Sequence, residues 1–543
     1  MGGEADPHGT DAVRQDVSAV WFVSVLFFVA VVWVLVPTWF HASHRPDVVE
    51  LQLIGKEWVL STTKLPMLAA WVLETIGMLT GWSFAAPFIA SQICFLLTVG
   101  AVWSMGRRVL SETAARLAVV VVMPYWFFTV KSTTFNPNIV HIPLWTWTIV
   151  LVFGAMRDDR WFRWAAAGAV LGLGFYAKYT TALLAMALLV WSVATPGMRR
   201  YWRGAGPYAL LLTAAIVVLP DLVWLIRHDF SCITYASSQS QPTAEWGARL
   251  VRPIEFFGGQ ILLILPTIVA LVPVLGWKWT RRRDGDGETS TAELAGSGAD
   301  SEDPTAAVAR HYLAAMLLIP PAIFLTLSLV SGMRVIENYA APLWPLLGVW
   351  LLLVFRGTFS TCQIRRAWGV MIVLEVLMLA GTIFEGVGLP YIHGSRMRVN
   401  FPAVELAAEC DRIWDEQVGG KCPYMTGDWF PAGSAAFYTK DRRSVHFYWE
   451  GIAESDAVPT GAWSEDADVN RCGGLVLWQM PDGTSDTTAP LSVVPEWVHR
   501  RFPRADVVGR TVVIPWKTNA DRAPLRIGIA VVRPDSSAEK NGV

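Results

Sequence analysis

The chain has 543 residues, of which 53% are hydrophobic and only 16% are charged, and it contains 28 tryptophans. This composition excludes an ordinary soluble domain and indicates an integral membrane protein. The formal net charge of −1 provides no positive field that would attract nucleic acid, so we expect no nucleic-acid partner.

The N-terminal segment is polar, and residues 1–18 are predicted to form a cytoplasmic tail. The hydrophobic run that follows is too long for a signal peptide and has no convincing cleavage site, so we expect it to stay in the bilayer as an anchor. At about 20 apolar residues per crossing, the sequence predicts eleven membrane spans near 19–39, 85–105, 115–131, 138–155, 162–177, 180–196, 206–226, 256–277, 311–331, 339–355 and 367–388.

The positive charges between these spans fall in alternate loops. Loops rich in Lys and Arg stay on the cytoplasmic side, so this pattern puts the N-terminus inside and, after an odd number of spans, the C-terminus outside. The basic loops contain Arg107, Arg108 and Arg116; Arg157, Arg160 and Arg163; Arg199, Arg200 and Arg203; Lys278, Arg281, Arg282 and Arg283; and Arg356, Arg365 and Arg366.

Two regions differ in composition from the predicted transmembrane domain over residues 19–394. Residues 281–309 have no apolar periodicity and are rich in small and acidic residues, which predicts a disordered cytoplasmic loop. Residues 395–543 alternate β-prone runs with turns and predict a small extracytoplasmic α/β domain. This domain contains three cysteines, and one disulfide would suit an oxidising compartment, with Cys410 and Cys422 as the nearest pair.

The first external loop, residues 41–84, carries many charges for so apolar a chain. Pro46 suits the first turn of a helix, and helical spacing then places Asp47 and Glu50 on one face and apolar residues on another. We therefore predict an amphipathic helix in the membrane interface, followed by a second interfacial or re-entrant helix that contains Glu74. The positive end of the helix dipole favours an ionised Asp47, which suits a base or a metal ligand.

Five segments, in order along the chain, resemble the successive blocks of bacterial family 39 glycosyltransferases, relatives of the protein O-mannosyltransferases and of the lipid A aminoarabinose transferase. They read PDVVELQLIGKEWVLSTTKLPMLAAWVLE (46–74), FNPNIVHIPLWTWTIVL (135–151), GLGFYAKYTTALL (172–184), GPYALLLTAAIVVLPDLVWLIRHDF (206–230) and NYAAPLWPLLGVWLLL (338–353). Further segments within 395–543 are similar to the tail of one bacterial branch of this family.

The resemblance implies the GT-C fold, an all-α membrane bundle whose long first external loop holds an acidic residue. It also implies a polyprenyl-phosphate-linked sugar as donor, a place in the bacterial cytoplasmic membrane, and an acceptor that is lipopolysaccharide, another envelope glycan or a protein. Inverting transfer needs a carboxylate to take the proton of the acceptor hydroxyl. Asp47 matches the first-loop acid of the family and is the expected catalytic residue, with a solvated helix-start Asp as the alternative.

Four cations are candidates for binding the donor phosphate, which needs positive charge as it leaves. Lys64 matches the lysine of a block that in this branch reads Lys-His-Pro-Pro, although Leu65 replaces the His here. Lys178 lies between two apolar runs, where a charge is costly unless it faces a partner or cavity, and snorkelling to the interface is the alternative. Arg227 and Arg334 would offer forked donors to a phosphate, and interfacial anchoring is their alternative.

Six further residues are candidates for binding the sugar or the acceptor: Glu50, Asn136, Asn138, Asp221, His228 and Asn338. One of the two asparagines is expected to cap the incoming helix, and Glu50 has a solvated face as its alternative. Asp221 lies inside an apolar run where the branch commonly has His, and an acid within a span favours a functional role. The chain shows no complete set of metal ligands, so no metal site is predicted, although a divalent ion is compatible with the chemistry.

Two other classes of function compete with the glycosyltransferase. A transporter or flippase for a lipid-linked sugar would also span the membrane, but the sequence lacks an internal inverted repeat and has the long acid-bearing loop. An inactive envelope-assembly protein would keep the fold, and the departures from the family pattern at Leu65, Met67 and Asp221 are compatible with it.

Overall fold

The computed structural model describes residues 7–283, 304–355, 359–393, 398–446, 465–480, 494–507, 511–516 and 524–535. Residues 1–6 of the predicted tail and most of the predicted loop over 281–309 lie outside these ranges.

Helices make up the first part of the chain. They are α1 (Pro7–Phe40), α2 (Pro46–Lys56), α3 (Leu68–Thr80), α4 (Ala86–Val109), α5 (Glu112–Val122), α6 (Pro137–Asp158), α7 (Trp161–Ala177), α8 (Thr181–Ala194), α9 (Gly206–Arg227), α10 (Ser231–Ser240), α11 (Trp246–Arg283), α12 (Pro304–Ser331), α13 (Leu347–Phe355), α14 (Thr361–Ile383) and α15 (Leu389–His393).

Seven helices in the described part of the chain are long and apolar enough to cross a membrane. They cover Ala19–Phe40, Ala86–Val109, Pro137–Asp158, Gly206–Arg227, Trp246–Val274, Pro304–Ser331 and Thr361–Ile392. Two bent pairs, Thr181–Ala194 with Pro196–Arg203 and Glu337–Leu343 with Leu347–Phe355, raise the number to nine if each pair is one span. The chain is therefore a multi-pass membrane protein, but the predicted count of eleven spans is not confirmed.

The predicted span over 115–131 is broken in the structure. Helix α5 ends at Val122, and a 3-10 helix follows at Val130–Thr133. Pro124 lies just beyond the end of α5, and proline has no backbone N–H with which to continue a helix. The 11 residues of α5 extend about 16 Å, roughly half the thickness of the hydrocarbon core.

Small residues allow α7 and α9 to pack closely. A Cβ atom on Gly168 would lie 2.2 Å from the carbonyl oxygen of Leu210, and one on Gly172 would lie 2.7 Å from Cβ of Val217. Backbones that approach this closely gain packing contacts that larger side chains would prevent. The contact fixes the end of α7, where Lys178 follows, against α9.

The C-terminal part of the chain contains helices and one mixed sheet. The helices are α16 (Ala403–Gln417), α17 (Trp429–Tyr438), α18 (Asp466–Cys472) and α19 (Glu496–Arg501), and the strands are β1 (Tyr424–Gly427), β2 (Ser444–His446), β3 (Gly474–Gln479), β4 (Ala505–Val507), β5 (Val512–Ile514) and β6 (Leu525–Val532). The strand order is β2-β1-β3-β6-β4, and β5 also pairs with β6. Strand β1 runs parallel to β2 and β3, whereas β3 is antiparallel to β6. We call residues 398–535 of the described chain the sheet domain.

The cysteines of the sheet domain are free thiols, so the pairing of Cys410 with Cys422 is wrong for this structure. Both side chains are buried, and burial raises the pKa of each thiol. The Sγ atom of Cys422 lies 3.5 Å from the carbonyl oxygen of Tyr424, close in sequence, rather than bonding to a second sulfur.

Helix α2 lies between the helical bundle and the sheet domain, and its residues 48–55 are all buried. Leu51 and Ile54 belong to the core of the bundle, whereas Val49 and Leu53 belong to the core of the sheet domain. The predicted charged face open to solvent is wrong for Glu50, which is only 8% exposed. Covering by the sheet domain could not be anticipated from the amphipathic pattern of α2 alone.

Candidate functional site

The candidate site is built at the end of the bundle that carries α2. Pro46 occupies the first turn of this helix, as predicted, and Asp47 follows it on the exposed side. The Oδ2 atom of Asp47 accepts a hydrogen bond of 3.2 Å from Nδ2 of Asn136. One carboxylate oxygen is therefore held in place while the side chain stays open to an incoming molecule.

Asn136 is the N-cap of α6, which confirms that one of the two asparagines caps this helix. Its backbone is extended, and its Oδ1 accepts from the backbone N–H groups of Asn138 at 3.0 Å and Ile139 at 3.4 Å. These bonds satisfy donors that the first turn of a helix leaves free. Because the oxygen faces its own helix, the amide nitrogen is directed to Asp47.

The hydrogen bonds continue from Asn136 to a half-buried cation. Nδ2 of Asn138 donates to Oδ1 of Asn136 at 3.2 Å, and Nζ of Lys178 donates to Oδ1 of Asn138. The Lys178 ammonium also lies 4.0 Å from the centroid of the Tyr339 ring, a cation–π contact. Burial lowers the pKa of Lys178 to about 7. We call Asp47, Asn136, Asn138 and Lys178 the polar chain.

A second charged pair lies beside Asp47. Nζ of Lys64 lies 2.8 Å from the carboxylate of Glu50. Burial raises the pKa of Glu50, an effect that the attraction of Lys64 opposes. Burial alone would lower the pKa of Lys64, but its charge attraction and hydrogen bond to Glu50 raise it instead. Both titrations respond to the charge of Asp47, so the pair and Asp47 share one electrostatic environment.

Asp221 is hydrogen-bonded to Tyr179, the residue that follows Lys178 in the sequence. It is 1% exposed within α9, and its Oδ1 accepts from the hydroxyl of Tyr179 at 3.3 Å. The same hydroxyl lies 3.5 Å from Oγ of Ser61, a residue of the segment that leads to Lys64. Tyr179 therefore links Asp221 to Ser61, and so connects the segment that leads to Lys64 with the residue that follows Lys178.

Within the described part of the chain, the remaining candidates make no hydrogen bond or ion pair with the polar chain. His228 donates from Nδ1 to the carbonyl oxygen of Trp224 at 2.8 Å and stacks on the Trp224 ring, and its neighbour Arg227 is exposed. Arg334 lines a cavity of about 500 Å³ together with Glu255, Glu337 and two glutamines. Asn338 lies near the start of a 3-10 helix, next to Tyr339.

Three residues of the site were missed by sequence reasoning. Tyr339 faces Lys178, Tyr179 binds Asp221, and Ser61 lies against Tyr179. Both tyrosines stand directly beside candidate residues in the sequence, but nothing in the pattern separates them from the many buried aromatic residues of the chain.

The described residues offer few ligands for a metal ion. No three His, Cys, Asp or Glu side chains come together there as a potential metal site. Asp47 is the one carboxylate of the polar chain, and the nearby Glu50 already pairs with Lys64. We derive no step through a metal ion.

Comparisons with known proteins agree with the fold. Residues 64–224 match the family model described as dolichyl-phosphate-mannose-protein mannosyltransferase. The lipopolysaccharide core galacturonosyltransferase RgtA of Rhizobium johnstonii is 24% identical over 410 residues, which cover 72% of this chain and 78% of RgtA. The lipid A galacturonosyltransferase RgtD of the same organism is 24% identical over 236 residues, which cover 41% of this chain and 47% of RgtD.

The fold is that of a solved membrane protein. The crystal structure of ArnT from Cupriavidus metallidurans bound to undecaprenyl phosphate matches with a TM-score of 0.59 at 14% identity, covering 94% of this chain and 97% of ArnT. The likeness to ArnT shows the GT-C fold, and the sequence matches agree with it. The comparisons thus confirm the resemblance to GT-C enzymes and support a membrane glycosyltransferase.

Proposed function

We propose that this chain transfers a sugar from a polyprenyl-phosphate-linked donor to a hydroxyl group on an envelope acceptor, as a hexosyl- or pentosyltransferase. The observation that carries the proposal is the polar chain, which links an open carboxylate to a half-buried ammonium across two asparagines. A base for the acceptor and a cation for a phosphate are the two groups that such a transfer requires.

In the proposed reaction, the free oxygen of Asp47 takes the proton of the acceptor hydroxyl. The acceptor oxygen then bonds to the anomeric carbon while the bond from that carbon to the phosphate oxygen breaks, with inversion of configuration. The polyprenyl phosphate leaves with the bonding electron pair. Its new charge is stabilised by Lys178, which ends the polar chain, and by Lys64, which pairs with Glu50.

The position of α2 supports chemistry at a membrane surface. Helix α2 lies at one end of the bundle, where a lipid-linked phosphate would present its sugar. With the basic loops on the cytoplasmic side, this end and the sheet domain face the outside of the bacterial inner membrane. The names of RgtA and RgtD describe acceptors in lipopolysaccharide core and lipid A, so a glycolipid is the acceptor class that we favour over a protein.

Mass spectrometry of envelope glycolipids and glycoproteins from cells with and without this chain tests the proposal. We expect one glycolipid to lose the mass of a single hexose, pentose or derivative sugar when the chain is removed. A change restricted to the transbilayer distribution of a lipid-linked sugar, without any change in acceptor mass, would instead support a flippase. Unchanged envelopes in both respects would support the inactive assembly protein.

A further inference from the structure

One residue of the sheet domain, Arg442, contacts both α2 and α3. Resting on the proposed function, we propose that Arg442 is a positioning residue that fixes the helix carrying Asp47, so that the sheet domain is required for transfer although it contributes no residue to the polar chain. The contacts of Arg442 with α2 lie at the opposite end of that helix from Asp47.

The side chain of Arg442 holds α3. Its Nη1 and Nη2 atoms donate to Oε1 and Oε2 of Glu74, each at 2.9 Å, in a forked ion pair. The Glu74 side chain is 4% exposed and that of Arg442 is 18% exposed. The guanidinium lies 4.5 Å from the Trp82 ring, and Nε1 of Trp82 donates to Oε1 of Glu74 at 3.2 Å. A shielded, forked and stacked pair of this kind fixes direction as well as distance.

The backbone of Arg442 holds α2. Its carbonyl oxygen accepts a hydrogen bond from Nζ of Lys56, the last residue of α2. Nζ of Lys56 also donates to Oγ of Ser444 at 3.2 Å, and that hydroxyl donates to Oε1 of Glu57 at 2.8 Å. Arg442 has a φ of +44°, a left-handed conformation that is uncommon for a residue with a side chain. The residue that adopts this uncommon conformation is the one that contacts both α2 and α3.

Close packing on two sides of α2 restricts the movement of this helix. A Cβ atom on Gly55 would lie 2.7 Å from the carbonyl oxygen of Ala70 in α3, and one on Gly433 in α17 would lie 2.8 Å from Cδ1 of Leu53. Helix α2 therefore has little room to shift between α3 and the sheet domain. Asp47 lies at the other end of this 11-residue helix, so a tilt that releases Lys56 would move its carboxylate away from Asn136.

Hydrogen exchange of the full chain in lipid nanodiscs tests the mechanical part of the proposal. In Arg442→Gln, we expect the backbone amides of α2 and α3 to exchange at least about tenfold faster than in the wild type. The matched control is Arg412→Gln, which removes an exposed arginine of the same domain that pairs with Glu409 and Glu416 on its own helix. Exchange in α2 that is equal in Arg442→Gln and Arg412→Gln would overturn the proposal.

A double-mutant cycle tests the link to Asp47. Misplacing a catalytic group by about 1 Å lowers rates by up to about 100-fold, so we expect Arg442→Gln to reduce sugar transfer per folded protein by about 10-fold or more. Arg442→Lys, which keeps one charged donor for Glu74, should restore part of this loss. Adding Arg442→Gln to Asp47→Asn should cause no further loss, because the positioned group is already absent.

Independent, multiplying losses in the two variants would show a merely structural role and overturn the positioning of Asp47. The two tests also separate this proposal from the proposed function. If the wild-type chain transfers no sugar, the proposed function fails, while the exchange of α2 still decides whether Arg442 holds the helix.

Discussion

Asp47 and Lys178 lie at opposite ends of one line of side-chain hydrogen bonds, although 131 positions separate them in the sequence (178 − 47 = 131). The two residues between them, Asn136 and Asn138, come from the start of α6. The carboxylate is exposed and the lysine is half-buried.

The charge of Lys178 should make phosphate binding depend on pH. Because burial lowers the pKa of Lys178 to about 7, its ammonium loses its proton as the pH rises through neutrality, far below the ordinary range of a lysine. We expect the affinity for undecaprenyl phosphate, measured with the full chain in nanodiscs, to fall by about tenfold as Lys178 becomes neutral, which corresponds to one lost charge-assisted bond.

Lys178→Arg provides the control for this measurement, since arginine stays charged throughout the range. The phosphate titrates equally with both proteins, so the ratio of the two affinities isolates the lysine. A ratio that stays constant from about pH 6 to about pH 8 would exclude Lys178 as a pH-dependent phosphate ligand.

Two substitutions of Asn136 should separate its role as the cap of α6 from its role in orienting Asp47. Asn136→Asp keeps an N-cap oxygen for α6 but puts a second carboxylate against Asp47, so we expect nearly normal thermal stability with a large loss of transfer. Asn136→Ala removes the cap as well and should cost about 1 kcal/mol of stability. Thermal unfolding and product analysis of both variants check this, and full transfer by Asn136→Asp would refute a role in orienting Asp47.

Variants of the Lys64–Glu50 pair should distinguish its contribution to stability from its contribution to phosphate binding. Lys64→Gln leaves the buried Glu50 without its cation and should lower the free energy of unfolding by about 1–3 kcal/mol. Adding Glu50→Gln removes the unpaired charge and should recover most of that stability. Undecaprenyl phosphate binding should stay weak in both variants, because the cation is missing. Recovery of binding in the double variant would show that Lys64 serves only to neutralise Glu50.

Local signals in the sequence predicted the parts of the site that depend on single elements. Pro46 marks the start of α2, and Asp47 lies in its first turn. Asn136 precedes Pro137 and caps α6. These features follow from backbone geometry within one turn of helix. Pro124 after an apolar run is a signal of the same kind, and it explains why α5 ends at Val122 within the span predicted over 115–131.

The features of the site that the sequence did not predict depend on contacts that form only in the folded chain. Glu50 belongs to the charged face of an amphipathic pattern, yet the packing of α2 against α3 and α17 buries it beside Lys64. Tyr339 lies far from Lys178 in sequence and meets it only in the folded bundle. The pairing of Glu74 with Arg442 likewise joins the first loop to the sheet domain, and no spacing rule connects residues so distant.

Asp47→Asn removes the group that we propose takes the proton of the acceptor. Asparagine keeps the size of the side chain and can still contact Asn136, but it cannot act as a base, so we expect transfer to fall by about 100-fold to 10,000-fold while the protein remains folded. Asp415→Asn is the matched control, because Asp415 is an exposed partner of Lys440 on the sheet domain. The measurement is the amount of glycosylated acceptor per folded chain, by mass spectrometry. Loss of product in Asp47→Asn alone is the predicted result, and normal product from a folded Asp47→Asn protein would contradict the account.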